Sequence, residues 1–314
     1  MITKVKQAML AMTRQCWEQG IVASALYELE DDELLHIVIN DMIRRRSQDG
    51  RLCNVEDTPA LTDSAFCIPA VYLTGNEEGN SEYLLAAEKN LRYLLAKADR
   101  GADGTLFHIA GTKQVWADSA AYVPYVMALM GEPEAGLAQL HGIQKRLYNE
   151  ESGLYYHMWD DASQSYVRAY PWGAGNGWIL GGMLRLYSVL DGKYQAERQE
   201  LETEINRLLD RMLQLKTDND LFYDILDDPT SFEESEASVM VAYGIYYGIN
   251  LGIVSASYKS TADKIAEAVE RRINVYGEIE GAASSPDFVS PGVSVECQAN
   301  YILMKLEQQR TCPA

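Results

Sequence analysis

The sequence predicts an all-α fold, a closed ring of six helical hairpins or (α/α)6 barrel, with all 314 residues in one domain. Three observations predict it. Helical periodicity dominates the chain, polar amphipathic segments alternate with apolar ones rich in small residues, and the connections between them repeat.

The periodic segments place helices at roughly 2–12, 15–29, 32–47, 63–74, 81–97, 118–130, 134–148, 176–190, 194–215, 235–251, 257–274 and 292–309. Two kinds of helix are present. The segment 195–215 turns its charges outward and keeps Leu201, Ile205, Leu208, Leu209 and Met212 on one face. Segments 120–130 and 239–249 are apolar on most sides, as helices buried all round must be. That alternation is the pattern of an outer ring wrapped around an inner one.

The connections give the repeat. Gly50-Arg-Leu-Cys-Asn54, Gly104-Thr-Leu-Phe-His108, Gly153-Leu-Tyr-Tyr-His157 and Asp220-Leu-Phe-Tyr-Asp224 each begin a short β-like segment. Each is followed by a polar residue opening an apolar helix: Asp63, Asp118, Asn176 and Ser235. A unit of about 50–65 residues is in or slightly above the range of stacked or circular arrays. Six such hairpins fill the chain, as an open solenoid or a closed ring. Closure also explains why the polar residues fall at one end of the inner helices, since a ring gathers them around one cleft. No Pro- or Gly-rich linker divides the sequence.

Composition narrows the function. The net charge of −19 argues against nucleic acid, whose phosphates need clustered Lys and Arg. The one basic run, Arg44-Arg45-Arg46, reads as a solvated helix end. One or two cations in a cleft can still serve an anionic substrate. Aromatic usage is lopsided, 20 Tyr and 5 Trp against 5 Phe, and Tyr and Trp suit wet ligands such as sugars. Packing remains the commoner reason for any single one of them.

Cys16, Cys53, Cys67, Cys297 and Cys312 are odd in number and form no CxxC pair, so neither a zinc knuckle nor a disulfide framework is expected. The first twenty residues lack a signal-peptide pattern, and the longest apolar stretch is shorter than the ~20 residues a bilayer requires. A cytoplasmic protein with no membrane partner, monomeric or weakly homo-oligomeric, is expected. No HExxH, nucleophile elbow or P-loop occurs, so no metal or cofactor is expected.

Three segments can carry chemistry. In Trp116-Ala-Asp118-Ser-Ala-Ala-Tyr122 a carboxylate lies in the first turn of a helix, where the dipole favours its charge. A capping aspartate is the simpler account of such a residue. Asp63 holds the equivalent place one repeat earlier, and two carboxylates held close raise one pKa. In Tyr170-Pro-Trp172-Gly-Ala-Gly-Asn176-Gly-Trp178, glycines flank Asn176 between two Trp, either a sugar platform or a tight loop with packed indoles. It is no dinucleotide fingerprint. His108 and His157 lie in the loop segments and can reach a cleft; His36 and His141 fall on outer helices. The acids between Asp224 and Glu236 read mostly as turn and capping residues around Pro229, although one could line the cleft.

Taken in order, these segments resemble glycoside hydrolase family 105, the unsaturated rhamnogalacturonyl hydrolases, and more distantly family 88, the unsaturated glucuronyl hydrolases. The resemblance covers nearly the whole chain. It rests on Trp-x-Asp at 116–118, the Trp172-to-Trp178 string and Leu-Asp-Asp-Pro at 226–229. It implies a six-hairpin α/α barrel acting on lyase-generated oligosaccharides that end in a 4,5-unsaturated uronic acid. The double bond is hydrated, the resulting hemiketal opens and the glycosidic bond is lost. By resemblance, Asp118 is the acid/base and Asp63 the second carboxylate, while His157, Trp172 and Trp178 line the sugar subsite. His108 and Asn176 are further candidates for substrate binding. Many members have Arg where this chain has Ala174, so the uronate's counter-charge must come from elsewhere, with Arg168 or Lys113 as candidates. Competing readings are an unsaturated glucuronyl hydrolase, an inverting glycosidase using Asp63 and Asp118, and a non-catalytic scaffold that binds glycans.

Overall fold

The computed structural model describes residues 1–53, 59–284 and 288–311; Cys312 lies outside them. Among the described residues are twelve α-helices: α1 Ile2–Met12, α2 Cys16–Glu28, α3 Asp32–Arg44, α4 Ile68–Glu78, α5 Ser81–Ala96, α6 Val123–Leu129, α7 Pro133–Leu147, α8 Gly173–Val189, α9 Gln195–Leu213, α10 Ser235–Asn250, α11 Lys259–Glu270 and α12 Val295–Thr311. Every periodic segment of the sequence has its helix.

The chain forms two compact units. One comprises Thr13–Leu147 and Met158–Val167. In it α2 packs on α3, α4 on α5 and α6 on α7, while α4 also packs on both α2 and α6. The strand Gln114–Trp116 pairs antiparallel with Met158–Asp160, placing Trp116 opposite Met158. The other unit comprises Met1–Met12, Tyr148–His157 and Arg168–Ala314. In it α8 packs on α9 and α10 on α11, α10 also packs on α8 and α12, and α12 packs on α1. The first helix therefore completes the last hairpin.

The two helix kinds are as the sequence predicts. α9 buries only Leu201, Ile205, Leu208, Leu209 and Met212, whereas α10 is buried at every position from Ser235 to Tyr246. Close approach of α8 and α10 needs small residues. A Cβ on Gly177 would lie 2.5 Å from Met240 Sδ, and one on Gly244 would lie 2.6 Å from Leu180 Cδ2.

A recurring turn makes the repeat physical. Ser47, Gly101, Thr217 and Asn274 each donate a backbone N–H to the carbonyl four residues on, at 2.8–2.9 Å. Three residues after each of them the backbone is left-handed, at Gly50, Gly104, Asp220 and Gly277. The last of these turns was not read from the sequence, because only Ile279 among its next residues is apolar. Gly153 is left-handed as well, with its N–H bonded to Asn149 O at 2.9 Å. Two residues beyond each left-handed position stands a side chain in the core: Leu52, Leu106, Tyr155, Phe222 and Ile279.

In the second unit the fourth residue of an inner helix anchors this core residue's N–H. Asn176 Oδ1 accepts from Tyr155 at 2.9 Å, Ser238 Oγ from Phe222 at 3.1 Å and Gln298 Oε1 from Ile279 at 3.2 Å. In the first unit two inner helices start differently. The segments predicted as helices from 63 and 118 open as 3-10 turns, Asp63–Cys67 and Ala117–Ala120. Proline is the reason. Pro69 and Pro124, each six residues past an aspartate, have no N–H to give, so they suit the first turn of an α-helix and not its interior. Accordingly α4 and α6 begin there, and the tighter turns fill the gap.

Candidate functional site

In the first unit, the aspartates sit inside the 3-10 turns and do not cap them. Thr62 and Trp116 hold the cap positions, with no side-chain capping bond. The simpler account of Asp63 and Asp118 as N-caps is therefore incorrect. Asp63 is buried and Asp118 half-buried.

His108 ties the two turns together. Its Nδ1 lies 2.7 Å from Thr62 Oγ1 and 3.0 Å from Ser119 Oγ, and those hydroxyls are 3.1 Å apart. Thr62 directly precedes Asp63, and Ser119 directly follows Asp118. Its other nitrogen, Nε2, is 3.6 Å from Asp63 Oδ1, an ion-pair distance and too long for a hydrogen bond. The backbone fixes the ring's place, since His108 N donates to Gln114 O and His108 O accepts from Leu61 N, both at 2.7 Å. The imidazole is stacked on Trp116, centroids 4.4 Å apart, and the indole N–H donates to Gln114 Oε1 at 2.9 Å. One buried imidazole thus sets both carboxylate-bearing turns. Thr62 and Ser119 carry this linkage and were missed in the sequence, where the recurring Asp-Ser-Ala and the proline six residues on were the available signal.

The second unit brings together His157, Tyr170, Trp172 and Asp224. His157 is stacked on Trp172 with centroids 4.3 Å apart and 23° between planes, and meets Tyr170 edge-on. Trp172 Nε1 donates to Asp224 Oδ1 at 3.1 Å. Burial pushes the Asp224 carboxyl up to about 6, opposed by the Trp172 bond and by the positive charge of His157 and Arg168. Trp178 is buried on α8, and Arg168 is half-buried. Ala174, where the related pattern has Arg, is wholly buried in the first turn of α8.

Asn176 has a different place from the one expected of a sugar ligand. It is fully buried, and both protons of its amide are spent, on Tyr155 O at 2.8 Å and Trp172 O at 2.9 Å. With Oδ1 also bonded to Tyr155 N, it braces the start of α8 as Ser238 and Gln298 brace their own repeats.

Of the acids around Pro229, Asp228 closes a turn onto Thr230 N at 2.9 Å. Glu234 caps α10, accepting from Glu236 N, Ala237 N and Ala283 N, and its burial raises its pKa. Asp224 is the acid that joins the aromatic cluster. Its signal was already in the repeat: it occupies the same place, four residues past the left-handed position, as His108 and His157. Among the described residues no group of three or more His, Cys, Asp or Glu could hold a metal ion, and no helix is long and apolar enough to cross a membrane.

Relatives give this geometry its context. The sequence matches Glycosyl Hydrolase Family 88 over residues 1–285. The unsaturated rhamnogalacturonyl hydrolase YesR of Bacillus subtilis (strain 168) is 26% identical over 244 residues, covering 72% of this chain and 68% of that protein. A possible member of glycoside hydrolase family 105 from Salmonella enterica serovar Paratyphi A superposes with a TM-score of 0.86 at 19% identity, covering 98% of this chain and 92% of that one. The unsaturated glucuronyl hydrolase of Bacillus sp. GL1 superposes with a TM-score of 0.69 at 13% identity, covering 94% and 85%. These likenesses give the chain the (α/α)6 fold that the alternation of helices predicts. With the family match running through nine-tenths of its length, the chain belongs to glycosyl hydrolase family 88 and is a glycoside hydrolase.

Proposed function

We propose that this enzyme removes a terminal 4,5-unsaturated uronic acid from lyase-generated oligosaccharides, and that it is of the rhamnogalacturonyl type. The observation that carries the proposal is the pair of aspartate turns held by one buried His108. Two carboxyl groups fixed by a shared support suit proton transfer, which depends on placement before strength. The names of the relatives support the substrate class: YesR is an unsaturated rhamnogalacturonyl hydrolase, and an Alteromonas relative, 22% identical over 211 residues, is an unsaturated 3S-rhamnoglycuronyl hydrolase. The chain spans about half the length of the latter.

Asp118 gives its proton to C4 as a water oxygen adds to C5. The same carboxylate then takes the proton released by that water, so the catalyst is restored. The hemiketal formed at C5 opens, and the leaving sugar departs without attack at the anomeric carbon. Asp63 holds the water or the ring hydroxyls, and His108 holds Asp63 and Asp118 in place. Trp172, Trp178 and His157 contribute to sugar binding. Arg168, whose charge is felt at Asp224, is the candidate counter-ion for the uronate in place of the arginine absent at Ala174.

The test is isotopic. Turnover of a lyase-generated oligosaccharide in heavy water should abolish the alkene's ultraviolet absorbance and place deuterium on C4 of the released keto-sugar. Cleavage that leaves the alkene intact sinks the proposal, because a conventional glycosidase has no reason to touch C4.

A further inference from the structure

His108, His157 and Asp224 stand at one position of the repeat, and the first two are each stacked on an indole. Asp224 has no ring to stack, yet it reaches the indole already used by His157, by accepting the Trp172 N–H at 3.1 Å. Its own backbone is tied at both ends, with Asp224 N donating to Phe232 O at 2.9 Å and Gly173 N donating to Asp224 O at 2.7 Å. The backbone that bears the carboxylate is thus held in place. The Trp172 backbone is tied as well, with Trp172 N donating to Tyr170 O at 3.0 Å, so the hydrogen bond from the indole edge acts on the side-chain torsions. We propose that Asp224 is a positioning residue, whose carboxylate fixes the indole of Trp172 against His157 and so orients the face offered to the sugar.

The charges that bear on Asp224 come from three elements. His157 precedes the strand Met158–Asp160, Arg168 ends the strand Ser165–Arg168, and Glu234 opens α10. His157 and Arg168 favour the ionised form and burial opposes it, while the charge of Asp224 helps to raise the pKa of buried Glu234. The ionised carboxylate accepts a charge-assisted bond, stronger than the bond a protonated one can accept. The hold on Trp172 should therefore loosen as pH falls through about 6, where Asp224 takes up its proton.

This inference rests on the sugar-binding role proposed for Trp172, so its test has one arm that needs no substrate. Asp224→Leu removes the acceptor while keeping the branching of the side chain, and Asp224→Asn keeps an acceptor but cannot ionise. The first arm follows tryptophan emission against pH, with Trp172→Phe as the spectral blank. The wild type should show a transition near pH 6 that Asp224→Asn lacks, and Asp224→Leu should shift the Trp172 emission at every pH. The second arm measures steady-state kinetics on the unsaturated oligosaccharide. Asp224→Leu should raise KM by roughly tenfold or more with kcat within about threefold, and Asn should restore KM to within about threefold. Equal behaviour of the Asn and Leu variants overturns the proposal, as does Trp172 emission unchanged in the Leu variant. A wild type that leaves the alkene intact would instead overturn the functional reading, and the emission arm alone then decides the role of Asp224.

Discussion

Two inner helices of the first unit begin differently from the three of the second. α8, α10 and α12 start directly as α-helices, and their fourth residues, Asn176, Ser238 and Gln298, anchor the preceding segment. α4 and α6 start one short 3-10 turn late, at a proline, and the turn carries an aspartate. The polar residue at a helix start therefore has two fates. Where the repeat is regular, it is consumed by the scaffold; where proline interrupts the helix, the side chain is released from that duty and supplied with a hydroxyl neighbour. The pair proposed as catalytic lies on the two interrupted starts. A circular repeat offers six equivalent places, and on the proposed function the two that depart from the repeat are those used for chemistry.

The strongest way to break this contrast is to alter the interrupted starts themselves. Asp118→Asn keeps shape and loses proton exchange, so kcat should fall about 10²–10⁴-fold with the fold intact. Asp63→Asn should cost less if Asp63 holds water or hydroxyls only. Stopped assays of alkene loss with circular dichroism as the folding control would measure both. Asp118→Asn retaining more than a tenth of wild-type kcat would remove Asp118 from the acid/base role.

The two stacked histidines sharpen the contrast at smaller scale. Both lie at the same repeat position and both stack on an indole at nearly equal distance. Their remaining partners differ. His108 Nδ1 meets two hydroxyls that flank the aspartates, whereas His157 takes its place among Tyr170, Trp172 and the charge of Asp224. His108→Ala should therefore act on kcat, by about tenfold to a hundredfold, since small misplacements of reacting groups are costly. His157→Ala should act on KM, by about three- to tenfold, as expected for a lost aromatic contact. Full kinetic profiles of both variants decide it, and the distinction fails if both change the same parameter.

Much of this was legible in the sequence because it is periodic. The buried face of α9 and the all-round burial of α10 follow from residue spacing alone, and the four left-handed positions at 50, 104, 153 and 220 were visible as a recurring segment. What escaped was non-periodic or relational. Pairing of α12 with α1 joins residues at opposite ends of the chain. The His108–Thr62–Ser119 triangle joins residues 46 and 11 positions apart through side chains of ordinary type. For Asn176 the sequence left two readings open, a sugar platform and a tight packed loop. Its glycine-rich setting suggested a ligand nearby, but those glycines let α8 pack closely, Gly177 against Met240 and Gly173 against Tyr223 O. Close helix packing and close ligand approach demand the same small residues, and composition cannot separate them.

The smallest expected effect tests the repeat where no chemistry is involved. Gly104 and Asp220 occupy the same left-handed position of the same turn, at φ +87 and +61. A Cβ on Gly104 would meet nothing within 4 Å, so Gly104→Ala should show backbone strain alone, a loss of about 1 kcal/mol. Asp220 already bears that strain and is paired with Lys216, both side chains about a quarter exposed. Replacing it with glycine relieves the strain but forfeits a part-exposed ion pair worth about 0–1 kcal/mol, so the two changes should offset to within about 0.5 kcal/mol. Urea midpoints at unchanged slope would read both. If Asp220→Gly destabilises as much as Gly104→Ala, the Lys216 pair and not the backbone holds that turn, and the two repeats are alike in shape but not in cause.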